Sequence, residues 1–149
     1  MRKEFFDKLD ELMFKDKSVY FVTGDLGYGF GDKIRDTFPD RFINVGAAEQ
    51  TMMGVGIGLA LQGKKSFVYS ITPFLLWRPA EWIRNYIDKE MIPVILVGSG
   101  RGNDYEHDGF SHNASDDVDF INLFNNIEYY NYVPDLSKLN QPTYINLKR

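Results

Sequence analysis

The run Ile92-Pro93-Val94-Ile95-Leu96-Val97 is apolar at every position. A strand of this kind has both faces in a core, the pattern of a parallel sheet covered by helices on both sides. The rest of the chain alternates accordingly. Phe5, Phe6, Leu9, Leu12 and Met13 fall at helical spacing and predict an amphipathic helix over residues 3–14. Val19–Thr23 is a β-rich run ended by Gly24-Asp25. A short helix is expected over Asp32–Thr37, a strand over Phe42–Val45, and a helix from Gln50 to Leu61 capped by Gly63. Ser66–Tyr69 reads as a strand and Phe74–Lys89 as one helix with Pro73 and Pro79 near its start. After the 92–97 strand come a polar loop from Gly98 to Ser115, a helix over Asp116–Phe124, and strands over Ile127–Tyr132 and Thr143–Leu147. Strands alternating with helices predict an α/β fold with a mostly parallel sheet of about six strands, in one domain.

The helix after Gln50 is apolar on almost every side, through Met52, Met53, Val55, Ile57, Leu59 and Leu61. Such a helix is expected in the interior. Glu49 then sits at its first turn, where the macrodipole favours a carboxylate. A carboxylate so placed either caps the helix or takes part in chemistry. The long polar loop follows the carboxyl end of a strand, where open α/β sheets place their ligands, so it is expected to be functional.

Composition excludes several functions. The net charge of −4 and scattered basic residues argue against nucleic acid or an anionic membrane as partner. Without cysteine there are no disulfides or thiolate metal sites. The N-terminus leads into an amphipathic segment rather than a signal core, and Met52–Leu61 is too short to span a bilayer, so a cytoplasmic location is expected. The chain is 15% aromatic, which means either a bulky core or a large protein interface.

Gly24-Asp25-Leu26-Gly27-Tyr28-Gly29-Phe30-Gly31 fits neither the dinucleotide nor the P-loop template and reads as a turn lining a site. Asp108-Gly109-Phe110-Ser111-His112 closes the long loop, and its histidine is suited to act as acid, base or donor near neutrality. His107 and His112 lack a third ligand, so no metal site is expected in this chain. Phe74 opens a helix directly after a strand, with core packing as the alternative to a site role.

Together these segments resemble a known family. Gly46-Ala47-Ala48-Glu49-Gln50 is similar to the Gly-x-x-Glu-Gln/His signature of the pyrimidine-binding domain of transketolase-like, thiamine-diphosphate-dependent enzymes. Tyr69-Ser70 through Phe74 resembles the segment whose phenylalanine stacks on the cofactor's aminopyrimidine. Asp108 to His112 is similar to the family's Asp-Gly-Pro-Thr-His, and Gln141 to Leu147 resembles the strand closing that domain. The motifs occur in the family's order over essentially the whole chain. The resemblance implies a three-layer α/β/α domain over residues 1–149. It implies that Glu49 hydrogen-bonds ring nitrogen N1′ of the aminopyrimidine, so that the exocyclic nitrogen can remove the thiazolium C2 proton. It also implies cofactor contacts from Phe74, Leu26 and Tyr69, and substrate contacts from Asp108 and His112, with His112 also catalytic.

The sequence departs from the family in two respects. No Gly-Asp-Gly…Asn motif for diphosphate and Mg2+ is present, and the family's diphosphate-binding and C-terminal domains are expected to be absent. The expected assembly is therefore a split enzyme, an α2β2 heterotetramer in which a diphosphate-binding subunit supplies the metal ligands and pyrimidine-binding domains contact one another. Gly100 stands where transketolases place a phosphate-binding histidine, which leaves Arg78 and Arg101 as candidates for an anion contact or as plain surface charges. The expected reaction is transfer of a two-carbon ketol or acyl unit from a ketose or 2-oxo donor in carbohydrate metabolism. The alternatives are a 2-oxoacid decarboxylase, a deoxyxylulose-phosphate-synthase-like enzyme, or a non-catalytic paralogue.

Overall fold

Six strands form one sheet in the spatial order 42–44, 19–23, 65–71, 94–99, 143–147 and 128–130, every neighbouring pair parallel. The computed structural model describes all of residues 1–149. The elements are α1 (Arg2–Lys15), β1 (Val19–Thr23), α2 (Asp32–Thr37), β2 (Phe42–Asn44), α3 (Glu49–Leu61), β3 (Lys65–Ile71) and α4 (Thr72–Trp77). There follow α5 (Ala80–Trp82), continued by π-type turns over Ile83–Lys89, then β4 (Val94–Ser99), α6 (Asp117–Ile121), β5 (Glu128–Tyr130) and β6 (Thr143–Leu147).

Alternation along the strands divides the core into two. Phe67 and Tyr69 of β3 face α1, where Phe5, Phe6, Leu9 and Met13 lie buried with Phe21. Val68 faces the other way and packs with Met52, Met53 and Ile57 of α3 and Leu75 and Leu76 of α4. The result is the expected three-layer α/β/α arrangement. Much of the aromatic content sits in the first core, where Phe6 meets Phe5 and Tyr69 edge-on with centroids 5.3 Å apart. Phe120 and Tyr144 lie buried in the second core, while Phe14, Tyr28, Phe110 and Tyr132 are all more than half exposed.

α3 departs from the expectation of a wholly interior helix. Its Met52, Met53, Gly56, Ile57 and Ala60 face the sheet, but Thr51 and Leu61 are exposed and Val55, Gly58 and Leu59 half-buried. One apolar stripe is thus turned outward. A Cβ at Gly56 would lie 2.4 Å from Val68 Cγ2, so glycine there lets α3 approach β3 closely. Gly63, at φ +73, ends the segment as expected, its N–H bonding Ala60 O at 2.9 Å while Lys64 N–H reaches Leu59 O at 3.0 Å.

Other boundaries differ for identifiable reasons. The expected 74–89 helix is broken at Arg78-Pro79, because Pro79 has no N–H and its ring opposes a continuing turn. The next turn restarts from the Pro79 carbonyl, which accepts from Ile83 N at 3.2 Å. The strand expected at Ile92 begins at Val94, since Pro93 cannot join the ladder, and it continues through Gly98 and Ser99, which pair with Ser70 and Ile71. α6 closes early in tightened turns, Phe124 N bonding Ile121 O at 3.0 Å, and β5 keeps only the residues in register with β6. The long loop is not structureless: Glu106–Asp108 and Phe110–His112 form single 3₁₀ turns. No helix is long and apolar enough to cross a membrane.

Candidate functional site

Glu49 is the first residue of α3 and is 5% exposed. The position before the helix is Ala48, which offers no capping side chain, and the helix start carries no side-chain cap bond. The carboxylate instead accepts a hydrogen bond from Arg78 Nη1 at 2.7 Å. Arg78 lies in the break between α4 and α5, and its carbonyl accepts from Gln50 Nε2 at 3.4 Å. Its guanidinium carbon stands 3.8 Å above the centre of the Phe74 ring. The His112 ring meets the same Phe74 at 4.8 Å with planes at 68°, and its Nδ1 lies 3.1 Å from Ser111 Oγ. Glu49, Arg78, Phe74 and His112 therefore form one continuous cluster, drawn from the segments after β2, β3 and β4.

Two clefts flank this cluster and share Arg78 as a wall. One, of about 590 Å³, is lined by Phe74, Trp77, Phe110, Ser111 and Asn113 among others. The other, of about 440 Å³, is lined by Ala48, Glu49, Gln50 and Thr51. Both lie beyond the carboxyl ends of the parallel strands, as expected of an open α/β sheet.

The remaining candidates from the sequence lie elsewhere. Tyr69 is 3% exposed among the aromatic side chains facing α1, where burial raises its phenol pKa. Leu26 packs against that same core, its carbonyl accepting from Thr23 Oγ1 at 3.1 Å. Neither lines the two clefts. Asp108 is exposed and faces His107, 3.3 Å away. Arg101 is committed to the protein itself: its Nε is 3.1 Å from both Asn146 O and Asn146 Oδ1, and its Nη2 donates to Asn131 O. That geometry pins the loop after β4 to β6 and leaves a structural role rather than an open anion contact.

Sequence reasoning passed over Trp77, which lines the larger cleft and meets Phe120 at 4.6 Å. Its spacing from Phe74 places the two on one helix face, which was the available signal. A buried polar group behind the cluster was also missed. Asp117, 5% exposed, accepts from Tyr144 Oη at 2.8 Å and from the Asn146 amide. Burial, and then the Asp117 charge, push the Tyr144 phenol well above 10. Above pH 10 the unfolded chain loses this proton while the folded chain keeps it, so stability present below that pH is lost as pH rises. Thermal melts should show the wild type falling steeply in that alkaline range and Tyr144→Phe, although less stable at neutral pH, falling less steeply.

The family model described as "Transketolase, pyrimidine binding domain" matches residues 1–134. The chain belongs to the transketolase pyrimidine-binding-domain family. A putative transketolase C-terminal section of Methanocaldococcus jannaschii is 31% identical over the whole chain and half of its own length. One subunit of an apulose-4-phosphate transketolase of Actinobacillus succinogenes is 36% identical over 62% of the chain and 30% of its own length. A solved structure described as a split gene transketolase, inactive beta4 tetramer, superposes with a TM-score of 0.85 at 27% identity, covering 99% of the chain and 51% of its own. The chain thus spans about half the length of these relatives, or less. Thiamine diphosphate is the cofactor used in this family.

Proposed function

We propose that the chain is the pyrimidine-side component of a split, transketolase-like, thiamine-diphosphate-dependent transferase that moves a two-carbon ketol or acyl unit. The observation behind this reading is the placement of a flat nitrogen-bearing group, the Arg78 guanidinium, in simultaneous contact with Glu49 and the face of Phe74. A seat that holds one planar donor in that way fits an aminopyrimidine. Bound there, thiamine diphosphate would supply an acidic carbon suited to carrying a two-carbon fragment between a donor and an aldehyde.

The contribution of this chain is to bind, orient and move protons. Glu49, nearly out of water, holds a proton shared with a ring nitrogen, and exclusion of water strengthens that bond. Phe74 supplies the stacking surface. His112, against the edge of Phe74 and within the larger cleft's loop, is placed to donate to a substrate oxygen. Asp108 contacts substrate hydroxyls if its loop closes over the cleft, and Arg78, once released from Glu49, supplies an anion contact. The diphosphate and Mg2+ belong to the partner subunit. The outward stripe of Val55, Gly58, Leu59 and Leu61 on α3 serves contact between pyrimidine-binding domains in an α2β2 assembly. The self-associated, inactive form of the split-gene relative supports both the contact and the need for a second component.

The test is to assay the purified chain alone and mixed with its diphosphate-binding subunit, supplying thiamine diphosphate, Mg2+, a ketose donor and an aldehyde acceptor. Product is expected only from the mixture. Full activity of the chain by itself sinks the split-enzyme reading, and carbon dioxide release without acceptor shifts it to a decarboxylase.

A further inference from the structure

We propose that Arg78 occupies the aminopyrimidine seat in the free chain and must swing out before a cofactor can bind. The proposal rests on the thiamine reading above and adds to it a gate within this chain. Arg78 makes both contacts assigned to the ring: it donates to Glu49 at 2.7 Å and lies 3.8 Å over Phe74. A guanidinium is planar, stacks on aromatic faces and presents N–H donors along its edge, so it imitates an aminopyrimidine in shape and in hydrogen bonding. An ordinary surface ion pair would need Glu49 alone and not the ring face.

The two partners differ in freedom. The Glu49 side chain is 6% exposed and the Arg78 side chain 47% exposed, so the guanidinium is the member free to leave into solvent. The helix break at Arg78-Pro79 fixes the Arg78 backbone while leaving its long side chain a choice of directions. Without a ligand, Arg78 also removes a difficulty, because a buried carboxylate with no counter-charge or donor is costly. A ligand ring nitrogen that shares with Glu49 one proton taken up from solvent removes the buried charge, and Arg78 is then no longer needed as its counter-charge. The two clefts that Arg78 separates then become one.

The experiment uses the full chain and, as probe, a neutral methyl-aminopyrimidine bearing the cofactor's ring without its thiazolium, titrated by calorimetry and NMR. Arg78→Ala is expected to bind it about tenfold more tightly than wild type, the size set by one part-exposed ion pair and one cation–π contact together. Arg78→Lys keeps the charge but cannot stack flat, so it should fall between the two; it decides the matter if the alanine variant does not fold. In the wild type, the Arg78 Nε–H resonance should move from a ring-shifted position to the solvent value as the probe is added. Equal or weaker binding by both variants, with binding by the wild type intact, overturns the gate and leaves the cofactor reading standing. No binding by any variant overturns both.

Discussion

Replacing Glu49 by Gln is expected to lower turnover of the proposed two-component enzyme by about two to four orders of magnitude, the usual weight of one placed proton-transfer group. Glutamine matches the carboxylate in shape and fills the same space at the start of α3, so the protein folds. It cannot hold an ionisable proton in common with a ring nitrogen, and that is the role proposed for Glu49. The ion pair it forfeits has a half-exposed arginine as partner, which limits the structural consequence. Steady-state assays with donor and acceptor, accompanied by a thermal melt, separate the two effects. Undiminished turnover in a folded Glu49→Gln enzyme would mean that the carboxylate serves the fold alone, as in a non-catalytic paralogue.

The largest loss of stability is expected on the other side of the sheet. Phe67 is fully buried on β3, 6.1 Å from Phe5 between ring centres, in the layer where α1 docks. Phe67→Ala removes a large side chain from a rigid aromatic cluster and should cost about 3–5 kcal/mol. For a domain of this length that corresponds to a fall in Tm of roughly 10 °C. Phe110→Ala is the control: that ring is 94% exposed, and its loss should change stability by less than about 0.5 kcal/mol. Urea unfolding of the two variants checks both values. A small effect at Phe67 would mean that the core on the α1 side repacks freely.

Both substitutions fall at positions legible from the sequence, through different kinds of local information. β1, α2 and β6 run over the residues expected of them, Val19–Thr23, Asp32–Thr37 and Thr143–Leu147, because each is a β-rich or helical run bounded by turn residues. Glu49, Phe74 and His112 each belong to a short motif similar to one of the family's, and the structure draws them into one cluster, Arg78 contacting Glu49 and Phe74 and His112 meeting Phe74. Tyr69 belongs to the same segment as Phe74. A strand alternates its faces, however, so a neighbour in the motif points into the opposite core.

What the sequence determined by itself was therefore the periodic and the local: an α/β chain with a parallel sheet, the order of its elements, the glycine that ends α3, and the carboxylate at that helix's start. What only the tertiary structure decided was the partner of each charge. Arg78 and Arg101 look alike as two arginines near loops, yet one closes over Glu49 across 29 positions of chain and the other pins Asn146 across 45. The distinction depends on where the break at Pro79 and the crossing of β4 to β6 bring side chains that are distant in sequence. Hydrophobic period records which face of an element is buried; it carries no information about which buried or half-buried groups meet across the interior.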